Sequence, residues 1–207
     1  MRYLRRVNSL PFISALLVLI NVAVFVICLF VGEELHYLGG VQKTGILEHH
    51  EYLRLLWAMF LHADEAHLAN NMIVLFFLGS MLEKEVGHAW FAVIYMLSGV
   101  GGNIASLAYK VAVHSEGLSI GASGAVFGLD GLLLALVLFS IDFRNTVPPV
   151  RVFLMIALSL YDGFMSQNID NAAHVGGLAI GFLAGLCYAF WQKAALDKNR
   201  ERCGFEH

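Results

Sequence analysis

Charge is scarce in this chain: 14% of its 207 residues are Asp, Glu, Lys or Arg, against 58% hydrophobic residues. With a mean hydropathy of +0.70, that balance excludes an ordinary soluble domain of this size. Cysteine is scarce too. Cys28 and Cys187 fall within apolar runs and Cys203 near the C-terminus, which argues against a disulfide framework and leaves no metal-ligand spacing. Internal repeats and low-complexity tracts are absent. A formal net charge of -3, a pI near 6.3 and basic residues that flank apolar runs rather than cluster exclude a nucleic-acid footprint.

What is present suits a bilayer. A hydrocarbon core about 30 Å thick requires roughly 20 apolar residues per helix, and six stretches approach that length: 10–32, 67–87, 89–110, 121–141, 149–166 and 169–191. Charge or Gly/Pro punctuation closes them, as at Gly32-Glu33-Glu34, Glu83-Lys84-Glu85, Asp142-Phe143-Arg144 and Pro148-Pro149. The first run follows Arg2, Arg5 and Arg6 as a signal peptide would, but it is too long for one and no small-x-small cleavage pattern precedes Glu33. The expected domain is therefore one six-helix unit over 1–192, followed by a short tail over 193–207. Cytoplasmic loops carry the excess of Lys and Arg. With the N-terminus inside, that side holds Arg2, Arg5, Arg6, Lys84, Arg144, Arg151, Lys193, Lys198, Arg200 and Arg202, against Lys43, Arg54 and Lys110 outside. Both termini are expected in the cytoplasm.

The fourth run opens with Gly121-Ala122-Ser123-Gly124-Ala125-Val126-Phe127-Gly128. A G-x-S-G string can be simple helix packing, since small residues line interfaces in membranes. His174, in Ala173-His174-Val175-Gly176-Gly177 near the start of the sixth run, changes the balance. An imidazole in hydrocarbon faces a bundle interior or a watery cavity. Gly177 and Gly181 repeat four residues apart, as do Gly124 and Gly128. Two such faces bring backbones close enough for a hydroxyl to meet an imidazole, the pairing that activates a serine nucleophile. At the start of the second run, His67 and Asn71 stand at i and i+4, on one helical face. They would aim two donors in one direction, as an oxyanion requires. In the six-run topology His67, Ser123 and His174 all lie near the external ends of their helices, at a shared depth that water can reach.

Together these residues resemble a bacterial-type rhomboid protease, over all six runs. The family's G-x-S-G motif matches Gly121 to Gly124, its A-H-x-x-G-x-x-x-G motif Ala173 to Gly181, and its H-x-x-x-N motif His67 to Asn71. The resemblance implies an all-α polytopic membrane fold of six transmembrane helices with a partly embedded loop between helices 1 and 2. It implies a Ser123–His174 catalytic dyad with no acidic third member, and an oxyanion hole from Asn71, His67 and the Ser123 backbone N–H. Phe127 matches the aromatic position that packs on the catalytic imidazole. Arg54 fits the arginine of the family's W-R motif, although Leu53 stands where tryptophan is usual, and His62 fits an additional histidine before H-x-x-x-N. Glu83 matches a glutamate near the end of the second helix. Transmembrane protein substrates and the lipid bilayer are the implied partners, a bacterial plasma membrane the implied location, and no metal or organic cofactor is expected.

Asp130, seven residues after Ser123, is expected as a protonated or hydrogen-bonded carboxyl meeting Ser98, Asn103 or Ser106. At about 10 Å along the helix from the serine, it is too far to complete a triad. Other readings fare less well. A zinc protease would show H-E-x-x-H, which is absent, and an aspartyl protease needs a second carboxyl deep in a span. A small transporter would show inverted repeats or broken helices in corresponding halves. An inactive rhomboid relative would lack the serine or the histidine. The fifth run, with Asp162-Gly163 and then Ser166, Gln167 and Asn168 at its outer end, reads either as a plain polar helix end or as a movable gate for substrate.

Overall fold

The structure, a computed structural model, describes residues 10–140, 143, 147–165 and 169–204. Arg2, Arg5, Arg6, Asp142, Arg144 and the expected gate residues Ser166, Gln167 and Asn168 lie outside these residues, as do the side chains of Asp162, Lys198, Arg200, Arg202 and Cys203. The described part is helical. Four helices are long and apolar enough to cross a membrane: Phe12–Val31, Glu65–Val86, His88–Ala112 and Asn171–Ala195. Two shorter apolar helices, Ser123–Phe139 and Pro149–Tyr161, accompany them.

Helix α1 (Phe12–Val31) is followed by three short helices, α2 (Glu34–Gly39), α3 (Lys43–Leu47) and α4 (Arg54–Trp57), the last continued by a 3-10 turn over Ala58–Phe60. Next come α5 (Glu65–Val74), a π-helical turn over Leu75–Gly79, and α6 (Ser80–Val86), which share one axis of apolar sequence. Asp64 caps α5 by accepting the His67 N–H at 2.8 Å. Gly87, at φ +86°, breaks α6 from α7 (His88–Ala112). The chain then forms α8 (Ser123–Phe139), α9 (Pro149–Met165) and α10 (Asn171–Gly204), the last running unbroken through position 192. At ~1.5 Å per residue, the 17 residues of α8 span about 25 Å.

Helix α8 is buried along nearly its whole length and packs between α7 and α10. Glycine makes that possible. A Cβ at Gly177 would lie 1.9 Å from the Gly124 carbonyl oxygen, and one at Gly181 would lie 1.9 Å from that of Gly128. The paired glycines noted in the sequence therefore do face each other. Gly102 of α7 joins the contact, since a Cβ there would come within 2.7 Å of the Ala173 carbonyl and 3.4 Å of Gly124. Main chain meets main chain on three helices, with dispersion contacts that larger side chains would prevent.

Polar groups inside the bundle show where the fold is tied. The N-terminal N–H groups of α1 have no side-chain cap of their own, and Glu83 of α6 supplies one. Its wholly buried carboxylate accepts Ile13 N–H at 2.8 Å, Ser14 N–H at 2.7 Å and the Ser14 hydroxyl at 2.6 Å, and also meets His88 Nδ1. Asp130 does not find the partners expected for it. The Ser106 hydroxyl goes to Asp170, the Asn103 amide donates to the Leu55 carbonyl at 2.8 Å, and buried Ser98 Oγ makes no hydrogen bond among the described residues. Ser98 lies instead against Gly128, two residues before Asp130, where a Cβ would be 2.1 Å from that of Ser98.

Candidate active site

Ser123 is the first residue of α8, so its main-chain N–H has no acceptor within its own helix and points out of the helix end. His174 sits in the first turn of α10, buried, with its N–H bonded to the Asp170 carbonyl at 3.2 Å. The glycine contacts between α8 and α10 bring their two side chains together. Ser123 Oγ and His174 Nε2 are 2.9 Å apart. Phe127, one turn after the serine, stacks on the imidazole with ring centroids 4.2 Å apart and planes 17° from parallel. On the other side of the ring His174 Nδ1 is buried and finds no hydrogen-bond partner among the described residues.

The remaining expected residues divide into those near this pair and one that is not. Gly121 adopts φ +133°, a conformation L side chains rarely take, and a Cβ there would also lie 2.8 Å from the His67 ring. Both constraints require glycine. They place His67 beside the loop that leads into Ser123. Asn71 is buried one turn later on α5, with its Nδ2 donating to the His67 carbonyl at 3.0 Å, while Asn70 is exposed. His62 is fully buried against His67, ring centroids 5.1 Å apart at 67°. Arg54 stands apart from the dyad. It is buried in the loop between α1 and α5, where it bonds Glu51 at 2.6 Å and the carbonyls of Tyr37 and Gly40.

One cluster escaped the sequence reading. Ser106 and Lys110 of α7, Ser119 of the loop before Gly121, and Asp170 at the head of α10 form one cluster. The Asp170 carboxylate caps α10 by accepting the Ala173 N–H at 3.0 Å. The only hint in the sequence was its place four residues before His174, one turn along the helix. Separately, a cavity of about 580 Å³ lies between α1, α2 and the start of α5, lined by Phe25, Glu33, His36, Asp64 and Glu65 among others; no dyad residue borders it.

A family model for the Rhomboid domain matches residues 49–190, a stretch that contains every residue of this site. The chain belongs to the rhomboid family. It is 35% identical to the RHOMBOID-like protein 1 of Arabidopsis thaliana over 156 residues, 74% of this chain and 39% of that protein. Against the rhomboid protease GluP of Bacillus subtilis (strain 168) it is 34% identical over 160 residues, 77% of this chain and 31% of that one. The mitochondrial RHOMBOID-like protein 6 of Arabidopsis thaliana matches at 35% over 171 residues, 82% of this chain and 54% of the relative. This rhomboid thus spans between about a third and about half the length of those relatives. Family membership and the apolar helices together make it a multi-pass membrane protein.

Proposed function

We propose that this rhomboid is an intramembrane serine endopeptidase that cleaves transmembrane proteins near the external face of the membrane. The observation that carries the reading is the 2.9 Å contact between Ser123 Oγ and His174 Nε2, which is hydrogen-bonding distance between a nucleophile and its base. Ser123 Oγ attacks the scissile carbonyl while His174 Nε2 takes its proton. The imidazolium then gives that proton to the leaving amine, and the C–N bond breaks to leave an acyl-enzyme. Water, deprotonated by the same nitrogen, attacks the ester and restores the serine. Through both tetrahedral stages the negative oxygen is held by the Ser123 N–H, Asn71 Nδ2 and the His67 ring. Substrate helices must unwind locally before attack, because their peptide groups are hydrogen-bonded within the helix and sterically covered.

The topology belongs to the same proposal. Helices α8 and α9 are the fourth and fifth of six spans, both termini face the cytoplasm of a bacterial plasma membrane, and the loop bearing α2 to α4 is partly embedded. Tyr37, Leu38, Tyr52, Leu53 and Trp57, all exposed on that loop, support lipid contact. The reaction needs neither a metal nor an organic cofactor.

Purified rhomboid incubated with a model transmembrane substrate tests the reading. Ser123→Ala and His174→Ala should each abolish cleavage, with chelators harmless. Asn71→Ala should lower turnover by about 10²–10³, the usual cost of losing one oxyanion donor, while Asn70→Ala, on the exposed face, leaves it intact. Cleavage that survives Ser123→Ala would overturn the proposal.

A further inference from the structure

The dyad has a feature that the chemistry above does not supply: among the described residues, nothing hydrogen-bonds to His174 Nδ1. Where an acid grips that nitrogen, it sets the tautomer and the direction of the ring. Here stacking on Phe127 limits the tilt of the imidazole, but a flat ring can still slide or turn in its own plane. The distance to Ser123 must therefore be set by where the main chain of α10 carries His174.

That main chain is anchored at Asp170. Its carbonyl accepts the His174 N–H at 3.2 Å, and its carboxylate Oδ1 accepts the Ala173 N–H at 3.0 Å. The other carboxylate oxygen accepts the hydroxyls of Ser106 and Ser119 and lies 3.4 Å from Lys110 Nζ, which itself donates to both serines. Ser119 is two residues before Gly121. Its main chain pairs with Val41, N–H to carbonyl at 2.8 and 3.1 Å in the two directions, and the Gly121 N–H goes to the Ala58 carbonyl at 2.8 Å. A single carboxylate thus joins α7, the loop that delivers the nucleophile and the turn that delivers the base.

An ion pair of this kind is a poor device for stability alone, since the cost of desolvating two charges rivals their attraction and well-packed apolar residues often do as well. It is a good device for fixing relative positions, because its bonds have direction and length. We propose that Asp170, held by Ser119, Ser106 and Lys110, is a positioning residue that sets the register of α10 against the Ser123 loop and so fixes His174 at reacting distance from Ser123. It touches neither substrate nor the transferring proton. The inference rests on the protease reading.

The test uses the full chain in detergent, with active sites titrated by a fluorophosphonate so that turnover is expressed per reactive Ser123. Asp170→Asn retains a helix-capping acceptor but loses the charge and puts an amide group among the donors of Ser106, Ser119 and Lys110. It should lower kcat per titrated site by about tenfold to a hundredfold, the range expected of slight misplacement, and leave KM unchanged. Ser119→Ala should shift kcat in the same direction by less, and Lys110→Arg should keep most of the turnover that Lys110→Met loses. A merely structural cluster would lower the melting temperature and the number of titratable sites while kcat per site stayed at the wild-type value. Wild-type kcat per site in Ser119→Ala and in Asp170→Asn, or in Ser119→Ala alone if the other does not fold, would overturn the inference. Failure of the protease reading looks different: wild-type protein would go unlabelled, or Ser123→Ala would still cleave.

Discussion

The bundle of α7, α8 and α10 and the loop between α1 and α5 hold their shapes by opposite means. In the bundle, glycines let backbones touch, and the 1.9 Å clearances at Gly177 and Gly181 leave no flexible group to move aside. In the loop, individual bonds from Arg54, from Asn103 to Leu55 and between Val41 and Ser119 hold segments that have few buried apolar contacts of their own. The first arrangement is rigid and fails as a whole. The second can be loosened one tie at a time, so the dyad rests on the rigid part while its approach is bounded by the adjustable one.

The strongest way to break that contrast is Gly181→Leu. Its Cβ would meet the Gly128 backbone, and relief would require the helices to separate, a cost of about 3 kcal/mol or more. Thermal unfolding in detergent should show a large loss together with loss of cleavage. A well-folded, active variant would mean that the glycine contact is not what sets the core.

A middle-sized effect should come from acid acting at the boundary of the two regions. Burial lowers the His62 pKa from 6.5 to about 4, the nearby His67 adds to that, and the Phe60 backbone offsets it only in part. The unfolded chain therefore binds the proton first. Stability should be complete above the unfolded value of about 6.5 and fall as pH drops towards 4, by on the order of 3 kcal/mol in all. Melting temperature measured against pH should show that slope in the wild type and a flatter line in His62→Phe. An unchanged slope would assign the acid sensitivity to another group.

The smallest effect belongs to the latch between Lys43 and Glu116, where Thr44 also donates to Glu116 at 3.1 Å. The Lys43 ammonium lowers the Glu116 pKa, so the contact contributes above the ordinary glutamate value and is lost as pH falls through the lowered one. Both partners are reached by solvent and salt screens them. Glu116→Gln should shift melting barely and only at low ionic strength. A large, salt-resistant shift would place this latch among the rigid features.

What could be read in the sequence was whatever lay within one or two helical turns. Ser123 with Phe127, His67 with Asn71, and the spaced glycines each announce themselves locally, and the helix ends fell within a few residues of the apolar runs except at the end of α10, which continues to Gly204, well past position 191. Pairings across the fold could not be read that way. Asp170 meets Ser119 and Ser106 from 51 and 64 residues away, and serine and lysine near a helix end carry no pattern that names a partner. The same holds for Asp130, whose supposed partners were polar groups on a neighbouring run: Ser106 and Asn103 serve Asp170 and Leu55 instead, and Ser98 Oγ has no hydrogen-bond partner among the described residues.

The borrowed cap on α1 bears on how the molecule is made. Pro11 offers the helix no side-chain cap, and the carboxylate that satisfies the Ile13 and Ser14 N–H groups lies about seventy positions downstream. During synthesis α1 is complete well before Glu83 exists. Until α6 emerges, that end must be satisfied by water or lipid headgroups, so the first helix can enter the bilayer early but cannot be seated until its neighbour arrives. Assembly acquires an order: what is translated first is fastened later, by a residue that also has to lose its own water to do so.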